Sequence, residues 1–169
     1  MSWSDVVSIV GALGVGSFIG QYLIGSQQRR QVRSDVLKHL SDAETARWAG
    51  GTTPAPNFTE SMRELETAAL IARVPRRVIA HYKVFAYCAR WLSQASWDDD
   101  PDPEYGGGIN GEFADLVRAA AGEVSRVTWA PWWGRVGMKR RLAKRRTEAG
   151  HIERIESTLA RAEKYLADY

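Results

Sequence analysis

Residues 6–24, VVSIVGALGVGSFIGQYLI, run for nineteen positions without a charged side chain, and among them only Gln21 is strongly polar. A helix rises about 1.5 Å per residue, so a stretch of this length reaches roughly 28 Å, close to the roughly 30 Å of a bilayer's hydrocarbon core. Trp3 and Tyr22 stand near its two ends, where aromatic rings favour the headgroup region. Asp5 precedes the stretch, and Arg29, Arg30 and Arg33 follow it. Cations mark the cytoplasmic side of a membrane helix. The expectation is a single-pass protein of the cytoplasmic (inner) membrane, with the N-terminus outside and the C-terminal domain in the cytoplasm.

Three other readings compete with an anchor. A cleaved signal peptide carries a basic leading region, whereas an acid and no Lys or Arg precedes this segment. Gly14, Gly16 and Gly20 hint at a phosphate-binding glycine loop, but their spacing is not GxGxxG and alternating strands are missing from the pattern. A buried core helix of a soluble protein is the third. The five glycines at 11, 14, 16, 20 and 25 would weaken it in water, while membrane helices tolerate glycine and use it to pack.

Small residues recur every fourth position at Ser8, Ala12, Gly16 and Gly20. Such a stripe lets two helix backbones approach closely, which predicts membrane-helix packing, either self-association or docking to a partner membrane protein. The stripe is equally what the commonness of Gly and Ala in membrane spans would produce.

The remaining chain predicts helices and no strand. Val32, Val36, Leu37, Leu40 and Ala43 keep helical spacing, so the anchor is expected to continue as a stalk until Gly50 and Gly51. A second helix opens at Asn57, an N-cap residue with Glu60 three positions on, and Pro75 ends it. A third runs from about Arg76 to Trp97 and should pair antiparallel with the second across a short connection. A fourth covers about Gly111 to Val127, and a last one follows Gly150 with Ile152, Ile155, Leu159, Ala162 and Leu166 in a heptad-like seam. The expected architecture is all-α. An N-terminal transmembrane helix (1–27) continues into a helical stalk (28–50). A linker (51–57) then leads to a small cytoplasmic helical bundle (58–169) with an acidic loop (98–108) and a basic segment (129–147).

Sites of chemistry are scarce. Asp98, Asp100 and Asp102 have the spacing that opens a calcium-binding EF-hand loop, but Pro103 and Ile109 occupy the positions that need Gly and a bidentate Glu. A solvated loop is expected, with no metal. The three histidines are scattered, Cys88 is the sole cysteine, and no HExxH, CxxC, GxSxG or phosphate-loop motif occurs. His81 and Cys88 are seven positions apart on one helix, about 10 Å, beyond the reach of a nucleophile–base pair. Neither catalysis nor a cofactor is expected.

The segment WAPWWGRVGMKRRLAKRR is the second constraining feature. Trp129, Trp132 and Trp133 precede Arg135, Lys139, Arg140, Arg141, Lys144, Arg145 and Arg146, with no acid among them. Beside an anionic leaflet each such cation contributes on the order of 1 kcal/mol, and tryptophans settle at headgroup depth. Nucleic acid would also suit the cations and rings. The chain's own acidic loop is a third partner. The fourth reading is a solvated basic helix whose tryptophans fill the core. The expected function is therefore a membrane-anchored, non-enzymatic helical interaction protein: a scaffold, a regulator or an exclusion-type factor of a bacterium or phage. Its partners would be membrane lipids and either a second copy of the chain or another membrane protein. The alternatives are a membrane-perturbing, holin-like or toxin-like protein, and an anchored nucleic-acid binder using the Trp/Arg-rich segment.

Overall fold

The computed structural model describes residues 27–47, 57–99, 108–152 and 155–168. All regular structure among them is helical. Residues 27–47 form α1, followed by α2 (Phe58–Ile71), α3 (Arg76–Asp99), α4 (Gly111–Trp129), a short 3₁₀ turn (Trp133–Arg135), α5 (Met138–Gly150) and α6 (Ile155–Ala167). The candidate anchor Val6–Ile24, including Ser8, Ala12, Gly16 and Gly20, lies outside the described residues. Among the described residues no helix is long and apolar enough to cross a membrane.

Local sequence explains where the helices begin and end. The Asn57 side chain accepts from the Thr59 N–H at 3.1 Å, and the Asn110 side chain accepts from Glu112 N at 2.8 Å and Phe113 N at 3.3 Å. Each satisfies donors that a first turn leaves without an intrahelical partner. Pro75 lies beyond the end of α2 and is not what stops it. Arg73 adopts φ 58°, Arg73 N donates to Leu70 O and Val74 N donates to Ala69 O, which closes the helix in a Schellman turn. This left-handed position usually falls to glycine, and here an arginine holds it.

Helix α3 is the centre of the bundle. Val78, Ile79, Tyr82, Phe85, Ala86, Tyr87, Cys88 and Ala89 are buried on several of its faces, and α2, α4 and α6 pack around it. The expected antiparallel pairing of α2 and α3 is present. Phe58 at the start of α2 meets Tyr87 edge-on at 4.9 Å, and Glu66 pairs with Lys83 at 2.7 Å. Phe85 stacks on Phe113 of α4, while Tyr87 and Trp91 meet Tyr165 of α6.

The stretch expected as a stalk is built into this core over its described part. Val36, Leu40 and Ala43 of α1 belong to the same buried cluster as the residues of α2–α6. The Tyr82 hydroxyl donates to Glu44 of α1 at 2.6 Å. Burial, reinforced by the Glu44 carboxylate, raises the pKa of that phenol well above its ordinary value, so it stays a donor. The seam of α6 likewise faces inward through Ile155, Leu159 and Ala162.

Candidate interaction surface

The basic segment forms a corner between α4 and α5. The chain leaves α4 at Trp129, passes through the 3₁₀ turn and enters α5 through Gly137, whose φ of +66° suits glycine. Gly134 is pressed against α4: a Cβ there would meet Val127 Cα at 2.9 Å and Arg126 O at 3.0 Å. Only a residue without a side chain fits that approach.

Arg141 fastens the corner. Its guanidinium bonds the carboxylate of Glu123, with Nε at 3.0 and 3.1 Å from the two oxygens. It also donates to the carbonyls of Gly134, at 2.6 Å, and Val136. Arg145 adds bonds of 3.2 and 3.3 Å to the same carboxylate. Glu123 is buried in α4, and burial alone would raise its pKa. The hydrogen bonds and charge of Arg141, and then of Arg145, outweigh that, so Glu123 titrates below its ordinary range. Two charged hydrogen-bond partners thus keep a buried carboxylate ionised.

The structure divides the seven predicted cations into two groups. Arg141 and Arg145 are committed to Glu123, Arg146 grips Glu163 of α6 at 2.6 and 3.1 Å, and Lys144 lies 3.6 Å from Glu148. These hold α5 onto the bundle. Lys139 and Arg140 are exposed and make no ion pair among the described residues. Arg135 is exposed and donates to the Arg73 carbonyl at 3.1 Å, which leaves its charge uncompensated. The carboxylates that take the segment's cations are Glu123, Glu148 and Glu163. Asp98 and Asp99, expected in the acidic loop, instead end α3 and are not among them, and positions 100–107 lie outside the described residues.

The tryptophans do not fill the core. Trp129, Trp132 and Trp133 are 53%, 86% and 82% exposed, and Val136 is 64% exposed. The reading of a basic helix with core tryptophans is corrected on this point. Gly134, between them and α5, packs directly on the α4 backbone and leaves no space there for a side chain. A large aromatic ring left in water on a fastened turn is costly unless something covers it.

Sequence reasoning missed a second part of this surface, in the α2–α3 turn. Leu70 and Ile71 are 58% and 64% exposed, and Arg73, Arg76 and Arg77 beside them are exposed. The signal was present: residues 67–97 contain no Asp or Glu, and RVPRR is a compact basic turn.

No group of three or more metal-ligating side chains occurs among the described residues. Cys88 is fully buried, and burial pushes its thiol up to about 12, so it is protonated and shielded from reagents. His81 packs on Phe85 at 4.5 Å, and its Nε2 is buried with no hydrogen-bond partner among the described residues. No protein family, curated protein or solved structure matches this chain.

Proposed function

We propose that this is a membrane-anchored, non-enzymatic interaction protein at the inner face of the cytoplasmic membrane. The uncharged segment at 6–24 serves as the anchor and the helical bundle presents a binding surface. The observation that carries the reading is the fastened corner: three tryptophans held outward beside Arg135, Lys139 and Arg140, cations without a carboxylate partner among the described residues. Rigid amphipathic rings with nearby cations are the composition of contact surfaces, where aromatic and Arg side chains dominate binding. The stripe Ser8, Ala12, Gly16 and Gly20 gives the anchor a face on which a second copy or a partner's membrane helix packs.

Fractionation of cells expressing the full chain tests the reading. The membrane pellet is washed in high salt and then in alkaline carbonate, and retention through both is expected. Release by salt alone would reduce the attachment to a peripheral one, and recovery in the soluble fraction would overturn the anchor. Gly16→Leu with Gly20→Leu should abolish crosslinked oligomers while leaving the chain in the membrane. Unchanged oligomers would sink the packing role of the stripe.

A further inference from the structure

All six large apolar side chains left exposed among the described residues lie at two helix junctions: Leu70 and Ile71 end α2, and Trp129, Trp132, Trp133 and Val136 run from the end of α4 to the start of α5. Arg135 Nη2 donates to Arg73 O at 3.1 Å, so the tryptophan corner and the α2–α3 turn are neighbours. The start of α1 lies at the same place, since Val32 and Ile71 line one cleft. That is the end of α1 to which residues 6–24 lead, and its Arg29 and Arg30 are exposed.

Charge follows the same division. Residues 124–147 and 67–97 contain no Asp or Glu. Arg73, Arg76 and Arg77 on one turn, and Arg135, Lys139 and Arg140 on the other, make no ion pair with a carboxylate among the described residues. Glu66 of α2 and Glu163 of α6, which line one cleft with Arg76, are bonded to Lys83 and Arg146, and Asp35, Glu60 and Glu64 lie along the cleft that Val32 and Ile71 share.

From this we infer that this end of the bundle is a docking face for an anionic lipid bilayer. Trp132, Trp133 and the apolar side chains of the two turns enter the headgroup layer, and the unpaired cations meet lipid phosphates. The face combines the two contributions a peripheral contact needs, apolar burial and attraction to anionic headgroups. A flat, extended and negatively charged partner matches a surface built from three separate chain stretches. The inference rests on the membrane reading above in one respect, namely that a bilayer is within reach. Glu123 and Arg141 then act as positioning residues: they hold the tryptophans outward and touch no lipid.

The test uses the full chain with phosphatidylcholine vesicles, with and without phosphatidylglycerol, whose acyl chains carry bromine as a fluorescence quencher. Both proteins carry Trp3→Phe, which removes the ring at the end of the anchor, and the parent is compared with Trp132→Phe/Trp133→Phe, a change confined to exposed rings. Where carbonate washing shows an anchored chain, the protein is reconstituted; where it does not, the protein is added to preformed vesicles. The expected result is bromine quenching that requires phosphatidylglycerol, weakens in high salt, and is mostly lost in the double variant. Lys139→Glu/Arg140→Glu should lower it several-fold with Trp132 and Trp133 in place. Anchored protein whose quenching is the same in the double variant would overturn the docking face and leave the anchor standing. Phosphatidylglycerol-dependent quenching of a carbonate-soluble chain would do the reverse. Quenching indifferent to phosphatidylglycerol, or displaced by single-stranded nucleic acid, would overturn the lipid assignment.

Discussion

Arg141 reaches across from α5 to bond both carboxylate oxygens of Glu123, and the same guanidinium holds the carbonyls of Gly134 and Val136. One side chain therefore joins two helices and the turn between them. Its planar fork presents donors in several fixed directions, which a lysine ammonium does not reproduce.

Glu123→Gln should be strongly destabilising. The amide cannot satisfy two guanidinium groups, and Arg141 and Arg145 would be left facing a neutral partner. Breaking a buried pair by removing one member costs on the order of 3 kcal/mol. Thermal unfolding of the full chain in mild detergent, followed by circular dichroism, measures the loss. A midpoint within a degree or two of wild type would show that the network does not hold the corner.

Gly134→Ala tests the same corner from its backbone. The added methyl would stand 2.9 Å from Val127 Cα, and that neighbour is main chain, so it cannot swing aside. Overpacking of this kind costs about 1–3 kcal/mol. The turn should lift from α4, with faster amide hydrogen exchange at positions 130–137 and little change in α2 or α6. Unchanged exchange there would mean the turn has slack that the geometry does not suggest.

Much of the bundle was legible because its signals are local. Asn57 before a 3.6-period apolar run announces a helix start, and the hydrophobic spacing of α4 and α6 places Phe113, Val117, Leu159 and Ala162 inside. The fate of the tryptophans was not legible, because periodicity in a short irregular stretch does not distinguish a ring turned out from one turned in. Nor does a list of arginines reveal which are neutralised. Arg141 and Arg145 differ from Lys139 and Arg140 only through Glu123, eighteen or more positions earlier in the chain. The basic character of the α2–α3 turn is local and readable in RVPRR, but its place beside the tryptophans is not, since Arg135 reaches the Arg73 carbonyl across 62 positions.

Arg73 occupies a left-handed backbone conformation that disfavours residues with a Cβ. Arg73→Gly should raise stability by up to roughly 1 kcal/mol, because glycine adopts this conformation without the steric penalty. The same change removes a cation from the proposed lipid-facing end, so vesicle binding should weaken as the unfolding midpoint rises. Opposite signs in the two assays would mark Arg73 as a residue kept for its charge. A fall in both would point to a purely structural role.

His81 gives the bundle a pH dependence of defined sign. Burial, helped by the charges of Arg145 and Arg146 and opposed by those of Glu123 and Glu163, lowers its pKa from 6.5 to about 4. Between those two values the unfolded chain takes up a proton that the folded chain refuses, so stability falls as pH drops across that window and levels off below it. The full span amounts to roughly 2–3 kcal/mol once partial exposure of the ring is allowed for. Glu123 extends the loss to lower pH: its pKa is depressed, so its contribution is present above the ordinary carboxylate range and disappears as pH falls through the folded value. His81→Phe keeps a ring against Phe85 and removes the titration. Its unfolding midpoint should be nearly flat from pH 6.5 to about 5, then fall with Glu123 as wild type does. If the variant keeps the wild-type slope in that window, another group carries the titration.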